Sequence, residues 1–518
     1  MHPAAAPSSD DAHYLALKAQ DARFDGRFFT GVTTTGIYCR PVCRVRTPKR
    51  ENCQFFTLAA QAEAAGFRPC LRCRPELAPA SVASGQPWSI QDASGILAGQ
   101  AARLLDTADQ WSDGLVSLAQ VAARLGVSER HMRRIFETHW GVSPLQYLQT
   151  RRLLTAKQLL TDTQLPIARI ALLSGYASVR RFNTVFAERY RLQPRALRKA
   201  GQDGTHPAQA TIAVRAAYRP PYDHAAILQF FGNRSLNGVE VVDLARAKLA
   251  RTLSVETDGR TLHGWVQVQF VPARCTVEMR VSESLVDALP AVLARLRALL
   301  DLDADPEAIN AALGNSFPGM EGLRVPGTVD GFELAVRAIL GQQITVQAAR
   351  TLGSRLVQRL GTPITTPVAG LSHVFPSAQV LATTPGEVLG ELGITRQRQK
   401  AIAALAEAVA QGTLRLSPGA DVPATLMALQ ALPGLGPWTA NYIAMRALRW
   451  PDAFVAGDVA LHKALGVQDN QHPAKAAKAA EAASQAWKPW RSYAVIRAWA
   501  SLATPSDPSI ARTALSNS

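Results

Sequence analysis

The sequence predicts a multidomain α+β protein, and three observations support this prediction. The chain has 518 residues, more than one hydrophobic core usually holds, so three or four domains are expected. Of its 6 cysteines, all but one lie between residues 39 and 73, which indicates a small domain with chemistry of its own. The apolar residues follow helical spacing after residue 117, strand-like alternation over residues 262–270, and helical spacing again from residue 285.

The composition is that of an ordinary globular protein, with 47% hydrophobic and 19% charged residues. No apolar run approaches the length that a membrane span needs, so no membrane partner is expected. The N-terminal residues lack the apolar core of a secretory signal. These features predict a cytoplasmic protein.

Basic charge is concentrated in one part of the chain. The net charge is +16, and residues 81–200, with 16 basic and 8 acidic side chains, supply +8 of it. Such concentration favours a polyanionic partner, and nucleic acid is the usual one. A solvated basic face that keeps the protein soluble is the alternative, and charge alone does not separate the two.

Four cysteines form two close pairs in the first segment. Cys39 and Cys43 are separated by three residues, and Cys70 and Cys73 by two. Four thiolates in this pattern suit a tetrahedral zinc ion. Two disulfides or buried apolar cysteines are alternatives, but the segment is short, basic and poor in core residues, so a metal would supply folding energy that it otherwise lacks. Cys53 fits neither pair and is interpreted as a packed thiol.

A zinc ion at this position has two possible roles. A structural zinc ribbon explains the spacing, whereas four thiolates around one zinc also leave a negative site with an unusually nucleophilic sulfur. The stretches Thr34–Cys43 and Ala65–Pro75 resemble the N-terminal domain of the adaptive-response regulator Ada. That resemblance implies that Cys39 accepts a methyl group from a DNA methylphosphotriester while zinc-bound, with Cys43, Cys70 and Cys73 completing the site.

The same resemblance implies DNA contacts and a signal. Thr35, Arg46 and Arg68 match positions of the family that contact DNA. Methylation of Cys39 removes one negative charge that faces the phosphates, so it should strengthen DNA binding and turn damage into a change in electrostatics. The transfer would be stoichiometric, because a thioether is not readily returned to a thiolate.

The middle segment contains two predicted helix-turn-helix units. In the first, an apolar helix face ends at Gly126, Ser128 caps the next helix, and its outer face carries Arg130, Arg133 and Arg134. In the second, the turn is at Gly175, the cap is Ser178, and the outward residues are Arg180, Arg181 and Asn183. Two units can read successive major-groove turns without dimerisation. Residues 117–199 resemble the AraC-family DNA-binding domain.

A glycine-containing turn between two predicted helices is the first informative feature of the last segment. Gly434 and Gly436 lie in the stretch Leu432–Ala440. Glycines at a helix N-terminus let backbone N–H groups approach a phosphate, as in a helix-hairpin-helix. A generic turn between helices explains the stretch equally well. Asp458 follows this turn, and taken alone it is most often a helix N-cap, although the spacing also fits a carboxylate beside an extrahelical nucleotide.

Residues 220–505 resemble 3-methyladenine DNA glycosylase II (AlkA), through Pro220–Asp223, Ala335–Gln343 and Trp487–Ala494. The resemblance implies that Asp458 is the catalytic aspartate and that an aromatic base pocket is formed by Phe230, Trp438, Tyr442 and Trp499. Related bifunctional enzymes have a Schiff-base lysine where Trp438 stands, so a monofunctional glycosylase without strand cleavage is expected. Gln343 stands where the family has a leucine wedge, and Val459 stands where it has an aromatic residue. Insertion into DNA and base preference should therefore differ from those of the family.

Together these features predict four domains. They are a small zinc-bound α/β methyl-acceptor domain (1–80), an all-α double helix-turn-helix domain (88–200), a mixed α/β, TBP-like subdomain (208–296) and a helical helix-hairpin-helix glycosylase body (297–510). Residues 75–88 and 199–211 are predicted linkers. The expected cofactor is Zn²⁺, and the expected partners are alkylated and promoter double-stranded DNA and RNA polymerase, in the bacterial nucleoid.

Two other functions remain open at this point. The protein could be a pure transcription regulator whose C-terminal part only clamps DNA. It could also be a glycosylase whose N-terminal half is a targeting module with a structural zinc. No Pro-Cys-His-Arg motif occurs in the sequence, so repair of O6-methylguanine by the usual Ada C-terminal domain is not expected, and no cysteine cluster for an iron–sulfur centre follows Cys275.

Overall fold

The computed structural model describes residues 9–80, 93–106, 117–200, 211–257 and 259–502. Residues 81–88 and 201–210, which belong to the two predicted linkers, lie outside the described residues. The beginning of the first predicted linker is not a linker. Residues 75–77 form a short 3-10 helix, and the Glu76 side chain, 1% exposed, is held there by Lys157. A buried ion pair of this kind keeps the chain packed where its Pro- and Ala-rich composition suggested a free segment.

The N-terminal domain is a four-stranded sheet with helices packed on it, and its strand order is β3-β1-β2-β4. Its elements are α1 (Ser9–Ala19), β1 (Phe29–Val32), β2 (Ile37–Cys39), β3 (Cys53–Phe56), α2 (Ala59–Ala64) and β4 (Arg68–Pro69). β4 runs parallel to β2 with Pro69 opposite Tyr38. The residues that follow these two positions, Cys70 and Cys39, are therefore brought together at one end of the sheet.

The middle segment is helical, as predicted. Its elements are α3 (Ala93–Asp106), α4 (Leu118–Arg124), α5 (Glu129–Trp140), α6 (Pro144–Asp162), α7 (Ile167–Leu173), α8 (Val179–Tyr190) and α9 (Pro194–Ala200). Ser128 and Ser178 accept hydrogen bonds from backbone N–H groups at the starts of α5 and α8, each at 3.2 Å. Gly126 and Gly175 have positive φ angles of 67° and 78°. The predicted caps and turns of both helix-turn-helix units are confirmed.

The third part is a five-stranded antiparallel sheet in the order β5-β9-β8-β7-β6. Its elements are β5 (Thr211–Ala217), α10 (His224–Arg234), β6 (Glu240–Asp243), β7 (Lys248–Thr257), β8 (Arg260–Val271), β9 (Thr276–Ser282) and α11 (Leu289–Leu299). The predicted strand over residues 262–270 lies within β8, where Val266, Val268 and Phe270 are buried. They join a core that also contains Phe182 and Phe186 of α8, so the second helix-turn-helix unit packs on this sheet.

The last part is a helical body. Its elements are α12 (Pro306–Leu313), α13 (Gly331–Leu340), α14 (Val346–Leu360), β10 (Thr362–Pro363), β11 (His373–Val374), α15 (Ala378–Thr383), α16 (Gly386–Glu391), α17 (Arg396–Ala410), α18 (Val422–Ala431), α19 (Pro437–Arg446), α20 (Val459–Ala464), α21 (Pro473–Ala483) and α22 (Arg491–Ser501). Two hydrophobic cores meet along α19, one receiving Ala440 and Ile443 and the other Ala444 and Met445. The side chains of Trp438 and Tyr442 therefore lie at the boundary between two packed halves.

Within the described part of the chain, no helix has both the length and the apolar character needed to cross a bilayer.

Candidate metal centre and active site

The four predicted zinc ligands converge. The Sγ atoms of Cys39, Cys43, Cys70 and Cys73 all lie within 4.8 Å of one another. Cys39 ends β2 and Cys70 follows β4, so the parallel pairing of these strands supplies one thiol from each cysteine pair. The other two thiols come from the turns after those strands. Such a closed set of four sulfurs is a tetrahedral donor set for zinc.

The chemistry of the thiols also suits a cation. A hydrogen bond with Cys43 raises the pKa of Cys39, whereas hydrogen bonds from Cys39 and Cys43 lower the pKa of Cys70. Four sulfurs this close together repel one another once more than one of them is deprotonated. A divalent cation removes that repulsion, because it binds all four as thiolates. The residues present therefore fit a zinc ion.

A buried arginine, Arg40, contacts the cluster through Cys73. The Arg40 guanidinium donates to the Cys73 carbonyl at 3.0 Å and to the Asp25 carboxylate at 2.8 Å, and the Arg40 N–H points at the Cys73 Sγ. A basic residue next to a metal-ligand motif, as Arg40 is, would commonly be a solvated surface cation. The structure instead gives it a partner, Asp25, and only 6% exposure, so it belongs to the support of the metal centre.

The predicted DNA-contacting residues of this domain differ in exposure. Thr35 and Arg46 are exposed, and Arg68 is half-buried. Cys39, the predicted methyl acceptor, is 6% exposed, and Cys73 is the most exposed of the four cysteines. A phosphotriester therefore has to approach Cys39 closely.

The predicted base-reading residues lie on the outer faces of α5 and α8. Arg130, Arg133 and Arg134 are exposed on α5, and Arg180 and Arg181 on α8, whereas Asn183 is half-buried. Arg133 forms an ion pair with Glu129 at 2.9 Å, so one of the basic side chains is partly neutralised within its own helix. The others extend the positive face that a DNA backbone would meet.

The predicted hairpin is present between α18 and α19. Gly434 is exposed with φ +78°, a conformation that favours glycine, and exposed Gly436 is the N-cap of α19. Their N–H groups lie at a helix N-terminus, where an anion is favoured. The Gln342 side chain donates to the Gly434 carbonyl at 2.9 Å and to Thr439 Oγ1 at 3.0 Å. Gln343, beside it, is exposed and has a φ of +57°.

Asp458 is held beside the aromatic pocket by three donors. Its Oδ2 accepts from Trp438 Nε1 at 2.9 Å, and its Oδ1 accepts from Trp499 Nε1 at 2.9 Å and from the Leu461 N–H at 2.7 Å. The last bond makes Asp458 the N-cap of α20. The N-cap interpretation is confirmed, and the same carboxylate also faces the two indoles. Val459 next to it is 66% exposed.

The structure brings three of the four predicted pocket aromatics directly together. Trp438 and Tyr442 are stacked, with ring centroids 5.2 Å apart and planes at 9°, and the Trp499 ring lies 6.3 Å from that of Tyr442. Phe230 is joined to them through Arg446, whose guanidinium carbon lies 4.8 Å from the Phe230 centroid and 5.3 Å from that of Tyr442. All four rings are half-buried, so each presents part of its surface.

Two arginines of the pocket were missed by sequence reasoning. Arg234 lies 3.8 Å from the Phe230 centroid, and Arg446 donates to the Tyr442 hydroxyl at 2.5 Å. Each arginine comes four residues after its aromatic partner, a helical spacing that could have revealed them. Burial raises the pKa of Tyr442, but the charges of Arg446 and Arg234 outweigh it and lower that pKa. One end of the pocket is therefore cationic.

Comparison with known families covers most of the chain. Four family models match it in order: the metal binding domain of Ada at residues 12–76, a helix-turn-helix domain at 121–200, the AlkA N-terminal domain at 213–330, and the HhH-GPD superfamily base excision DNA repair protein at 336–491. The first match and the four-thiol cluster identify the cofactor as Zn²⁺. The helix-turn-helix and base excision domains identify double-stranded DNA as the partner.

Curated relatives give the same order of parts. A probable bifunctional transcriptional activator/DNA repair enzyme AlkA from Mycobacterium tuberculosis is 37% identical over 87% of this chain and 88% of its own. DNA-3-methyladenine glycosylase 2 of Escherichia coli is 36% identical over 46% of this chain and 83% of its own, and the E. coli bifunctional transcriptional activator/DNA repair enzyme Ada is 36% identical over 28% and 36%. The chain belongs to the family of bifunctional transcriptional activator/DNA repair enzymes that join Ada-type regulatory domains to an AlkA-type DNA glycosylase.

Proposed function

We propose that the C-terminal half excises alkylated bases of the 3-methyladenine type from double-stranded DNA. One observation carries this proposal: a carboxylate, Asp458, is fixed by the N–H groups of Trp438 and Trp499 at the wall of a half-open aromatic pocket. A nucleotide turned out of the helix would place its base against the rings and its sugar near Asp458. The carboxylate would then stabilise the positive charge that grows on the sugar as the N-glycosidic bond breaks, and help water to attack.

The rings give the pocket a basis for selectivity. The stacked faces of Trp438 and Tyr442 attract an alkylated, cationic base more strongly than a neutral one. The guanidinium group of Arg234 lies at the Phe230 end, and that of Arg446 lies between Phe230 and Tyr442, so both disfavour a cation there. A cationic base is therefore expected against the Trp438 end of the stack.

Product analysis tests this function. Incubation of the intact protein with alkylated duplex DNA should release free 3-methyladenine and leave each strand whole until the abasic sites are cleaved chemically, because tryptophan at position 438 forms no Schiff base. Strand cleavage by the protein itself would contradict a monofunctional enzyme. If no free base appears, the C-terminal half is a DNA clamp and the pure-regulator alternative takes over.

We propose that Cys39 is the methyl acceptor of the zinc centre. In the transfer, the bond between the methyl carbon and a phosphotriester oxygen breaks, a carbon–sulfur bond forms at Cys39, and the phosphate leaves as a diester anion. The zinc ion, when bound, keeps the sulfur deprotonated and nucleophilic. Thr35, Arg46 and Arg68 would hold the DNA backbone.

Peptide mapping by mass spectrometry tests the acceptor. After exposure to duplex DNA that carries methylphosphotriesters, one methyl group should appear on the peptide with Cys39 and none on the peptide with Cys53, which is a buried thiol outside the cluster. Methylation of the more exposed Cys73 instead would refute the assignment to Cys39. An unmodified cluster would favour a targeting module with a structural zinc.

We propose that the two helix-turn-helix units bind promoter DNA and that activation proceeds through RNA polymerase at those promoters, within the bacterial nucleoid. The exposed arginines of α5 and α8 support phosphate and base contacts. Substitution of Arg180 by alanine should weaken binding to a target promoter and reduce the slope of binding against salt concentration, because a phosphate contact releases counterions. An unchanged slope would remove Arg180 from the DNA interface.

A further inference from the structure

An arginine with no exposed surface lies where the zinc domain meets the glycosylase half. Arg219 lies two residues after the end of β5, and its side chain has 0% exposure. Its guanidinium donates to the Asp25 carbonyl at 2.7 Å, to the Ala80 carbonyl at 2.5 Å, and to the carbonyls of Asp303 and Ala304 at 2.9 and 3.0 Å. These acceptors belong to the beginning and end of the zinc domain and to the segment before α12. One side chain thus ties three separate segments together.

The interface around Arg219 is closely fitted. At Gly26, with φ +74°, an added Cβ would lie 2.2 Å from the Pro79 oxygen and 3.0 Å from Arg219 Nη2. The Ala80 N–H donates to Asp303 Oδ1 at 2.7 Å. Arg27 of the zinc domain pairs with the buried Asp305 at 2.6 Å and, at the rim, with the exposed Glu307 at 2.5 Å. The contact has a buried centre and a charged rim, as protein interfaces do.

This interface is connected to the metal centre on one side. Asp25, whose carbonyl binds Arg219, accepts hydrogen bonds through its carboxylate from Arg40, which in turn holds the backbone of Cys73. Zinc held by Cys73 would steady this chain of contacts, and through Arg40 it would steady Asp25.

On the other side, the interface continues into the base pocket. The Arg219 and Pro221 carbonyls both accept from Arg324 at 2.8 Å, and the Arg324 guanidinium lies 4.7 Å from the Tyr222 ring centroid. Asp223 then caps α10, the helix that carries Phe230 and Arg234. The chain from Arg219 to Phe230 is thus a short, well-held path from the zinc domain to one wall of the pocket.

We propose that the zinc domain docks on the glycosylase half through Arg219 and that zinc binding at the four cysteines thereby sets how firmly the pocket segment, residues 219–234, is held. The inference goes beyond the proposed activities, since it makes the repair half depend on the regulatory metal. Docking leaves Thr35 and Arg46 exposed, so the docked domain can still meet DNA. The partner of this surface is the glycosylase half of the same chain.

Hydrogen exchange of the full-length chain, with bound zinc and after chelation, tests the proposal without relying on either activity. Chelation should accelerate amide exchange in residues 219–234 and 301–307 about tenfold or more, as expected when local opening becomes easier, together with the zinc domain itself. Helix α21, which packs against α20 and the segment Ser484–Trp487, is the internal reference and should not change. If chelation accelerates amide exchange only in the zinc domain, up to residue 80, the proposal is wrong.

Variants at the rim and at the centre separate the interface from general destabilisation. In the zinc-loaded protein, Arg27→Glu should accelerate exchange in residues 301–307, and adding Glu307→Arg should restore the part of the protection that the Arg27–Glu307 pair supplies. Lys49→Glu, which reverses an exposed charge of the zinc domain that pairs with Glu51, is the matched control and should have no effect. Equal behaviour of Arg27→Glu and Lys49→Glu would overturn the proposal.

Substitution Arg219→Met removes the central donors. This variant should keep its zinc content but lose the effect of chelation on residues 219–234, whereas a persistent effect of chelation would refute the role of Arg219. If the variant does not fold, the Arg27 and Glu307 pair carries the test, since both side chains reach solvent.

Discussion

Asp458 illustrates how one side chain satisfies two requirements at once. Its carboxylate caps α20 and also accepts from two indole N–H groups. The cap is local and follows from the sequence. The indole contacts join α19 and α22, so no local pattern reveals them, and only the resemblance to AlkA indicated that Trp438 and Trp499 lie near Asp458.

Loss of one indole donor should slow base release without unfolding the protein. Trp438→Phe keeps an aromatic ring against Tyr442 but removes one hydrogen bond to a charged group, and we expect a decrease in kcat of about tenfold. Single-turnover release of 3-methyladenine is the measurement. Trp487→Phe, which removes an N–H bond to Ser316 outside the pocket, is the matched control. A rate equal to that of the control would show that the donor does not position Asp458.

At the scale of elements, the hairpin is tied to the turn after α13 that carries Gln342 and Gln343. The Gln342 side chain binds the hairpin at Gly434 and Thr439. The backbone carbonyl of Gln342 accepts a hydrogen bond from Arg398. The next residue, the exposed Gln343, therefore lies on a turn that is tied to the hairpin. The sequence predicted the hairpin and the position of Gln343, because turn glycines and the family motif are local. It did not predict the Gln342 bridge, which depends on how α13 and α19 pack.

Breaking that bridge should weaken DNA binding. Gln342→Ala removes two hydrogen bonds, each worth about 1 kcal/mol, so the Kd for duplex DNA with an abasic-site analogue should rise about fivefold or more. Gln411→Ala, which only removes a bond to Glu407 at the end of α17, is the control. Equal Kd values for the two variants would show that the Gln342 bridge does not contribute to DNA binding.

At the scale of the whole molecule, buried ionic contacts join the domains. Arg74 and Glu76 of the zinc domain meet Asp162 and Lys157 of α6, at 2.6 and 2.5 Å. The sequence predicted the domains, their order and most of their elements, because caps, turns and apolar spacing are local signals. It did not predict these contacts, since nothing in the spacing of charged residues shows which of them become buried partners.

A buried glutamate at the same boundary should make stability depend on pH. Glu63 accepts from Tyr38, Thr150 and Tyr190, and burial raises its pKa from 4.5 to about 7 despite these hydrogen bonds. The unfolded chain releases this proton near pH 4.5, whereas the folded chain releases it only near pH 7. The contribution of Glu63 to the free energy of unfolding is therefore fully present below pH 4.5. It should be lost as pH rises through 7, by up to about 3 kcal/mol.

Thermal unfolding of Glu63→Gln checks this prediction. The variant should gain Tm relative to the native protein between pH 5 and pH 8, since its amide does not ionise. Glu188→Gln, an exposed position on α8, should show the native dependence. Parallel curves for Glu63→Gln and the native protein would contradict the assigned shift.

Release of free base by Asp458→Asn is the most direct test of the central claim that this chain is a glycosylase whose chemistry lies at Asp458. Asparagine still caps a helix, and Asp421→Asn is the matched control, because Asp421 caps α18 in the same way. Single-turnover release of 3-methyladenine from alkylated duplex DNA should be lost in Asp458→Asn and kept in Asp421→Asn, with DNA binding kept in both. Equal release by the two variants would contradict the account.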